Sequence, residues 1–334
     1  MADLLANPWL RGIASSVVIA TGVLTIAAWA IWFERKFAAR MQNRVGPNVV
    51  GPAGLLQPLA DALKLLRKEV LVPRKADAVL FRLAPALALF LTIAVVAAIP
   101  WGKDIYVADL DIGLLWVLAM SGMMLFPLWL AGWSSNNKYA LFGGMRAVAQ
   151  GISYEIPLLL SAMVPVVLAG SFNLREIVEY QSVHGWFAIW PPGIGVLAFV
   201  IFFATSLAEA NRIPFDIPEA ESELIAGVSV EYSAMSYGLF PMVEYVHTWL
   251  SSAVASVLFL GGWSGPGSSI WIIGLAWMLL KTSILFAFIY AMRWTLVRFR
   301  ADQLMHFCWK WLVPVTLGLV CLAAVWVNVT AGGR

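Results

Sequence analysis

Apolar runs of about 20 residues, each long enough to cross the hydrocarbon core of a bilayer, recur along this chain from end to end. In such a setting a helix satisfies its own backbone polar groups without water, so each run is expected to be helical. The expected fold is an all-α integral membrane protein, a single polytopic domain over 1–334. Composition agrees, because 61% of the residues are hydrophobic and 12% charged, with a mean hydropathy of +0.82. A soluble fold carries about twice that charged fraction and would otherwise lack the polar surface to cover itself. The pattern predicts eight spans, at 13–33, 80–100, 112–133, 149–170, 190–208, 236–260, 270–292 and 311–329. Tryptophans mark many of the predicted ends, among them Trp29, Trp32, Trp101, Trp133, Trp190 and Trp311. The first run follows one basic residue, Arg11, and leads into further spans, which reads as a span and not as a cleaved signal.

Orientation follows from the cations. Most of the 22 lysines and arginines fall in the loops after spans 1, 3, 5 and 7, from Arg35 and Lys36 through Lys138 and Arg212 to Arg298 and Lys310. The opposite side holds Arg11, Lys103, Arg175 and Arg334. The positive-inside rule then places those rich loops in the cytoplasm and both termini outside. The net charge of +3 is thus a topology signal and gives no reason to expect nucleic-acid binding. Cys308 and Cys321 stand far apart, and His184, His247 and His306 fall in three different segments, so no metal or iron–sulfur ligand set is expected. Electron chemistry would have to be done by a partner.

Two connections carry more than a connection needs. The segment 34–79 opens with Glu34, Arg35 and Lys36 and passes two turn signals, Gly46-Pro47-Asn48 and Gly51-Pro52. It continues with Leu55, Leu59, Leu63 and Leu66 at helical spacing, and with Gln57, Asp61, Lys64 and Lys68 on another side. This reads as an amphipathic helix lying in the interface, with simple membrane anchoring as the plainer alternative. The segment 209–235 holds Glu209, Asp216, Glu219, Glu221, Glu223 and Glu231, six of the 19 acidic residues of the chain. Pro214, Phe215, Ile217, Pro218, Leu224 and Ile225 lie among them, which points to a loop folded against protein. Crowded, partly desolvated carboxylates take up and release protons more readily than solvated ones.

Charges also fall within the spans. Glu155 and Glu244 lie inside spans 4 and 6, and Lys281 lies near the middle of span 7. An ionisable group at that depth is costly unless paired or hydrated and is a functional candidate for that reason. Glu244 and His247 are three residues apart and share a helix face. A structural ion pair is the alternative for each residue singly. Taken as a set, they suggest a hydrated polar path leading from the acidic loop into the bilayer.

Several strings now become diagnostic: Glu34-Arg-Lys36, Arg44-Val-Gly-Pro-Asn-Val-Val-Gly-Pro52, Gly132-Trp-Ser-Ser-Asn-Asn-Lys-Tyr139, Ser153-Tyr-Glu155, Pro214-Phe-Asp-Ile-Pro-Glu-Ala-Glu-Ser-Glu-Leu224, Glu231-Tyr-Ser233 and Arg298-Phe-Arg300. In order and spacing they resemble the H-subunit family of bacterial NADH:quinone oxidoreductase (complex I) and its mitochondrially encoded counterpart. The resemblance implies that span 1, span 6 and the amphipathic helix frame the opening of a quinone tunnel, with Glu34, Arg35, Asp61 and Lys64 lining or guarding it. It implies that Asp216, Glu219, Glu221 and Glu223 respond to quinone reduction, and that Glu155, Glu209, Glu231 and Glu244 belong to the proton-coupling set. Lys281, Arg293 and Arg298 would balance that negative charge. Quinone is then a substrate, and the FMN and iron–sulfur clusters sit in soluble partner subunits. The other partners are small and antiporter-like membrane subunits and the lipid bilayer.

The chain departs from the family pattern at Val228, Val297 and Ala301, near the proposed cavity and charge relay. A membrane anchor of an energy-converting hydrogenase is the nearest rival, and a stand-alone proton or ion transporter is a rival of another class. The full Pro-Phe-Asp acidic loop and the intact Gly-Pro-Asn region favour the quinone-linked form.

Overall fold

A computed structural model describes residues 8–331 apart from 104, 213, 219–223 and 269, with side chains described from 16 to 330. Among these residues there are helices and turns and no strand. The helices are α1 (Pro8–Met41), α2 (Gln57–Arg67), α3 (Ala78–Ala98), α4 (Gly113–Gly122), α5 (Leu125–Ser134), α6 (Lys138–Ala169), α7 (Leu174–His184), α8 (Ile194–Glu209), α9 (Ala234–Phe259), α10 (Trp271–Thr295), α11 (Ala301–Phe307) and α12 (Val313–Ala331). A π-helical turn, Cys308–Leu312, joins the last two into one continuous rod.

Six helical stretches are long and apolar enough to cross a membrane: Ser16–Met41, Ala78–Ala98, Gly113–Ser134, Lys138–Ala169, Trp271–Thr295 and Ala301–Thr330. Two of the eight expected spans differ from these. The shorter one, α8, is apolar but has only 16 residues. By contrast α9 has 26 residues and carries Glu244, His247, Thr248, Ser251, Ser252 and Ser256, which dilute its apolar character. Those polar groups point inward, since His247, Thr248, Ser252 and Ser256 are all buried.

Helix ends also depart from the expected edges. Lys138 and Arg146, expected in a loop, lie on α6, and Lys310 lies in the π-helical turn. Glu34 to Arg40 continue α1 and are not loop. An apolar run marks the part of a helix inside the hydrocarbon, while its hydrogen bonds can continue into the interface where cations are welcome. Local caps set the true ends. Asn137 accepts a hydrogen bond from the Tyr139 amide at the start of α6, and Gly170, at φ +73°, closes it in the left-handed conformation that glycine tolerates.

Two long helices organise the packing. α6 packs against α5, α8 and α12, while α9 packs against α1, α2, α3 and α10. The rod of α11 and α12 is latched to α6 at one level. There Cys308 Sγ donates to the Ser153 carbonyl (2.9 Å), Trp309 Nε1 to Ser153 Oγ (3.2 Å), and the Tyr154 hydroxyl to the Leu304 carbonyl (3.1 Å). At the cation-rich side a smaller core joins Phe81, Leu130, Val228, Tyr232 and Phe240. Gly143 has its Cα against the Gly227–Val228 backbone, where any side chain would collide. Val228, one of the departures from the family pattern, is thus a buried packing residue, whereas Val297 and Ala301 are exposed. Tyr232 stacks on Phe81 at 4.0 Å and donates to its carbonyl (3.0 Å). Burial pushes the Tyr232 phenol up to about 12, so it keeps its proton and its donor role at neutral pH.

Candidate functional site: a buried file of ionisable residues

Where α1, α10, α9 and the segment after α8 meet, opposite charges are held out of water. Glu34, on the buried face of α1, forms an ion pair with Arg293 of α10. Aromatic packing of Trp29 and Phe33 against Phe286, and of Phe33 against Tyr290, fixes these two helices side by side. The Glu34 carboxylate acts electrostatically on Arg212, Tyr245 and Tyr290. Arg212, 7% exposed, lies with its guanidinium 4.3 Å above the Tyr245 ring and 3.7 Å from Glu244 Oε2.

One turn further along α9, His247 Nε2 is 3.9 Å from Glu209 Oε1 at the end of α8. Both distances exceed a direct hydrogen bond, so neither pair is in direct hydrogen-bond contact. A cavity of about 30 Å³ lined by Glu209, Asn211, Glu244 and His247 joins the two pairs, and it is large enough for a water molecule. A second, of about 20 Å³, continues from Glu209 and His247 past Ser121, Ser206 and Ser251. Glu155 completes the file, close enough to Glu209 for their charges to interact. Its carboxylate occupies the space left by the missing side chain of Gly122, at the end of α4. Carboxylates, an imidazole and phenols spaced by water-sized voids can pass protons, or shift charge, over a distance no single residue spans.

The acidic segment is bound to this file. Gln150 of α6 donates from one amide nitrogen to the carbonyls of Ala208 (2.7 Å) and Phe215 (2.8 Å). Phe215 stacks on Phe299, whose amide donates to the Pro214 carbonyl (3.2 Å). Asp216 is half-buried in this segment and engaged with its neighbours. Glu219, Glu221 and Glu223 lie outside the described residues. Glu231 sits apart from the file, accepting a hydrogen bond from Asn137 Nδ2 (2.6 Å) at the start of α6.

Of the expected tunnel residues, Arg35 and Asp61 meet where α1 packs on α2. Arg35 Nη1 lies 2.6 Å from Asp61 Oδ2, and Gln57 Nε2 donates to Asp61 Oδ1 (3.1 Å). This pair is partly exposed and contributes at most about 1 kcal/mol, so its place matters more than its strength. Leu65 packs on Gly238 of α9, while Leu59, Leu63 and Leu66 are exposed on the outer face of α2. Leu55 and Lys68 fall just outside the helix, and Lys64 lies exposed upon it.

Lys281 is not part of the file. Its ammonium donates to the carbonyls of Leu260 (2.7 Å), Gly262 (2.9 Å) and Ser264 (2.7 Å), and lies 4.9 Å from the Trp186 ring. Three carbonyls just beyond the C-terminal end of α9 take up its three donors, which accounts for a cation at that depth without a carboxylate partner. Arg298 is half-buried and makes no ion pair among the described residues. Sequence reasoning placed Arg212 only among the loop cations and missed its bridging place, together with Tyr245 and Tyr290. Tyr245 adjoins Glu244, and Tyr290 precedes Arg293 by three on one helix face, a spacing that could have flagged both. Gly122 gave no signal.

The NADH dehydrogenase family profile matches residues 14–324. The chain belongs to that family. It is 44% identical over 316 residues to the H subunit of NADH-quinone oxidoreductase from Dehalococcoides mccartyi, covering 95% of this chain and 87% of that protein. The protein of the same name from Geobacillus thermodenitrificans is 48% identical over 91% of this chain and 90% of its own length. That from Brevibacillus brevis is 45% identical over 96% and 94% respectively. Membership makes the chain a membrane-helical subunit of an oxidoreductase complex, as the motif strings implied.

Proposed function

We propose that this chain is the membrane subunit at which a lipid-soluble quinone reaches an NADH:quinone oxidoreductase and at which its reduction is coupled to proton movement. The observation that carries the reading is the buried file from Arg293 and Glu34 through Arg212, Glu244, His247 and Glu209 to Glu155, which begins beside the junction of α1, α2 and α9. In this reading eight segments cross the bilayer, α8 as a short apolar crossing and α9 as one whose polar groups face the protein interior. The leucine face of α2 lies in the interface, and the quinone passes between α1, α2 and α9 with its apolar tail beside that face and its headgroup near Arg35 and Asp61. Soluble partners supply the electrons, and both termini face away from them.

Quinone reduction consumes two electrons and two protons. Charge appearing transiently above the file is felt first by Glu34 and Arg212, and then through Glu244 and Glu209 by Glu155. The test uses membranes of the native host carrying Glu209→Gln, with assembly confirmed on a native gel. The expected result is loss of most of the inhibitor-sensitive quinone reductase rate while NADH:ferricyanide activity, which draws electrons upstream, stays intact. Unchanged quinone reduction in the assembled variant would contradict the reading. A hydrogenase-type complex would instead show proton reduction independent of added quinone.

A further inference from the structure

A second groove, of about 510 Å³, opens on the other face of α1, between the end of that helix and the Gly46–Ala53 turn. Its walls carry three cations, Lys36, Arg40 and Arg44, and three aromatic rings, Trp32, Phe33 and Phe37. None of the three cations has an acid within ion-pair distance among the described residues, whereas their neighbour Arg35 is turned to Asp61 on the α2 side. The Trp32 indole donates to the Ala53 carbonyl (3.1 Å), which holds the turn over the groove. From Trp32 to Arg40 the helix rises about 12 Å, from the hydrocarbon edge through the headgroup layer.

We infer that this groove binds an anionic glycerophospholipid of the cation-rich leaflet. Its phosphate lies among Lys36, Arg40 and Arg44, and the upper part of its acyl chains lies on Trp32, Phe33 and Phe37. A soluble partner could cover the arginines but would not reach the rings at hydrocarbon depth, and a neutral quinone ring gives three unpaired cations no counter-charge. Basic grooves at the membrane face of helical proteins select such headgroups. The inference stands independently of the proton file.

The test compares the purified complex with a triple variant, Lys36→Gln/Arg40→Gln/Arg44→Gln. Each is stripped by detergent washing and then titrated with phosphatidylglycerol or phosphatidylcholine, with bound lipid read by mass spectrometry. The expected result is a loss of phosphatidylglycerol affinity of roughly fivefold per cation removed, with phosphatidylcholine binding unchanged. Lys36→Arg is expected to bind as the native complex does. If the triple variant fails to assemble, Arg40→Gln alone must show the single-charge loss. Equal binding of phosphatidylglycerol by native and variant complexes would overturn the inference. So would loss of a soluble subunit on a native gel with lipid binding intact, which would assign the cations to a protein.

Discussion

Arg212→Leu is expected to cost about 3–5 kcal/mol of stability and to leave little assembled complex. The guanidinium is buried, has Glu244 at 3.7 Å and lies over Tyr245 at 4.3 Å. Removing it takes the buried cation away from beside Glu244, and leaving that carboxylate in a poorly hydrated place without its guanidinium costs more than the lost attraction. Loss of the contact with the Tyr245 ring adds about 1–2 kcal/mol. The double replacement Arg212→Leu/Glu244→Leu removes both charges and is expected to recover much of the deficit. The measurement is the temperature at which the native-gel band of the detergent-purified complex disappears, compared across the single and double variants. A single variant as stable as the native chain would mean that Glu244 is already neutral or fully hydrated.

The second large effect is expected at Gln150. This one side chain donates to two buried carbonyls, those of Ala208 and Phe215, and so fastens the start of the acidic segment to α6. Gln150→Leu keeps the volume and removes both bonds, at about 0.5–1.5 kcal/mol for each, since the two carbonyls keep backbone donors, Asn211 N–H on Ala208 (3.3 Å) and Ile217 N–H on Phe215 (3.1 Å). Besides lowering stability, the change is expected to expose the segment after α8 to proteolysis from the cation-rich side of membrane vesicles. Cleavage between α8 and α9 at the native rate would show that Phe215 and Phe299 hold the segment without it.

Much of this architecture was legible in the sequence because the bilayer makes simple demands. An apolar run must be helical, and Gly51-Pro52 marks a turn that the structure contains. The amphipathic period of Leu59, Leu63 and Leu66 likewise gave α2 its outer face. What the sequence could not give was pairing. Glu34 and Arg293 are 259 residues apart, and nothing local records that their helices touch. Glu244 and His247, read as one polar face, in fact turn to two partners, Arg212 and Glu209. Lys281 is flagged by its depth, with a balancing role implied by the resemblance alone; its three partners are backbone carbonyls, which leave no trace in side-chain identity. Helix length was overrun at Lys138 for a related reason, since the hydrophobic pattern ends at the interface while the hydrogen bonds continue.

The central claim is that the buried file couples quinone reduction to proton movement, and Glu155 at its far end tests this most directly. In sealed inverted membrane vesicles, NADH oxidation by quinone and acidification of the lumen are followed together in the native complex and in Glu155→Gln. The expected result is a fall in protons moved per NADH oxidised, larger than any fall in the oxidation rate itself, with assembly intact. An unchanged ratio of protons to electrons in the assembled Glu155→Gln complex would contradict it.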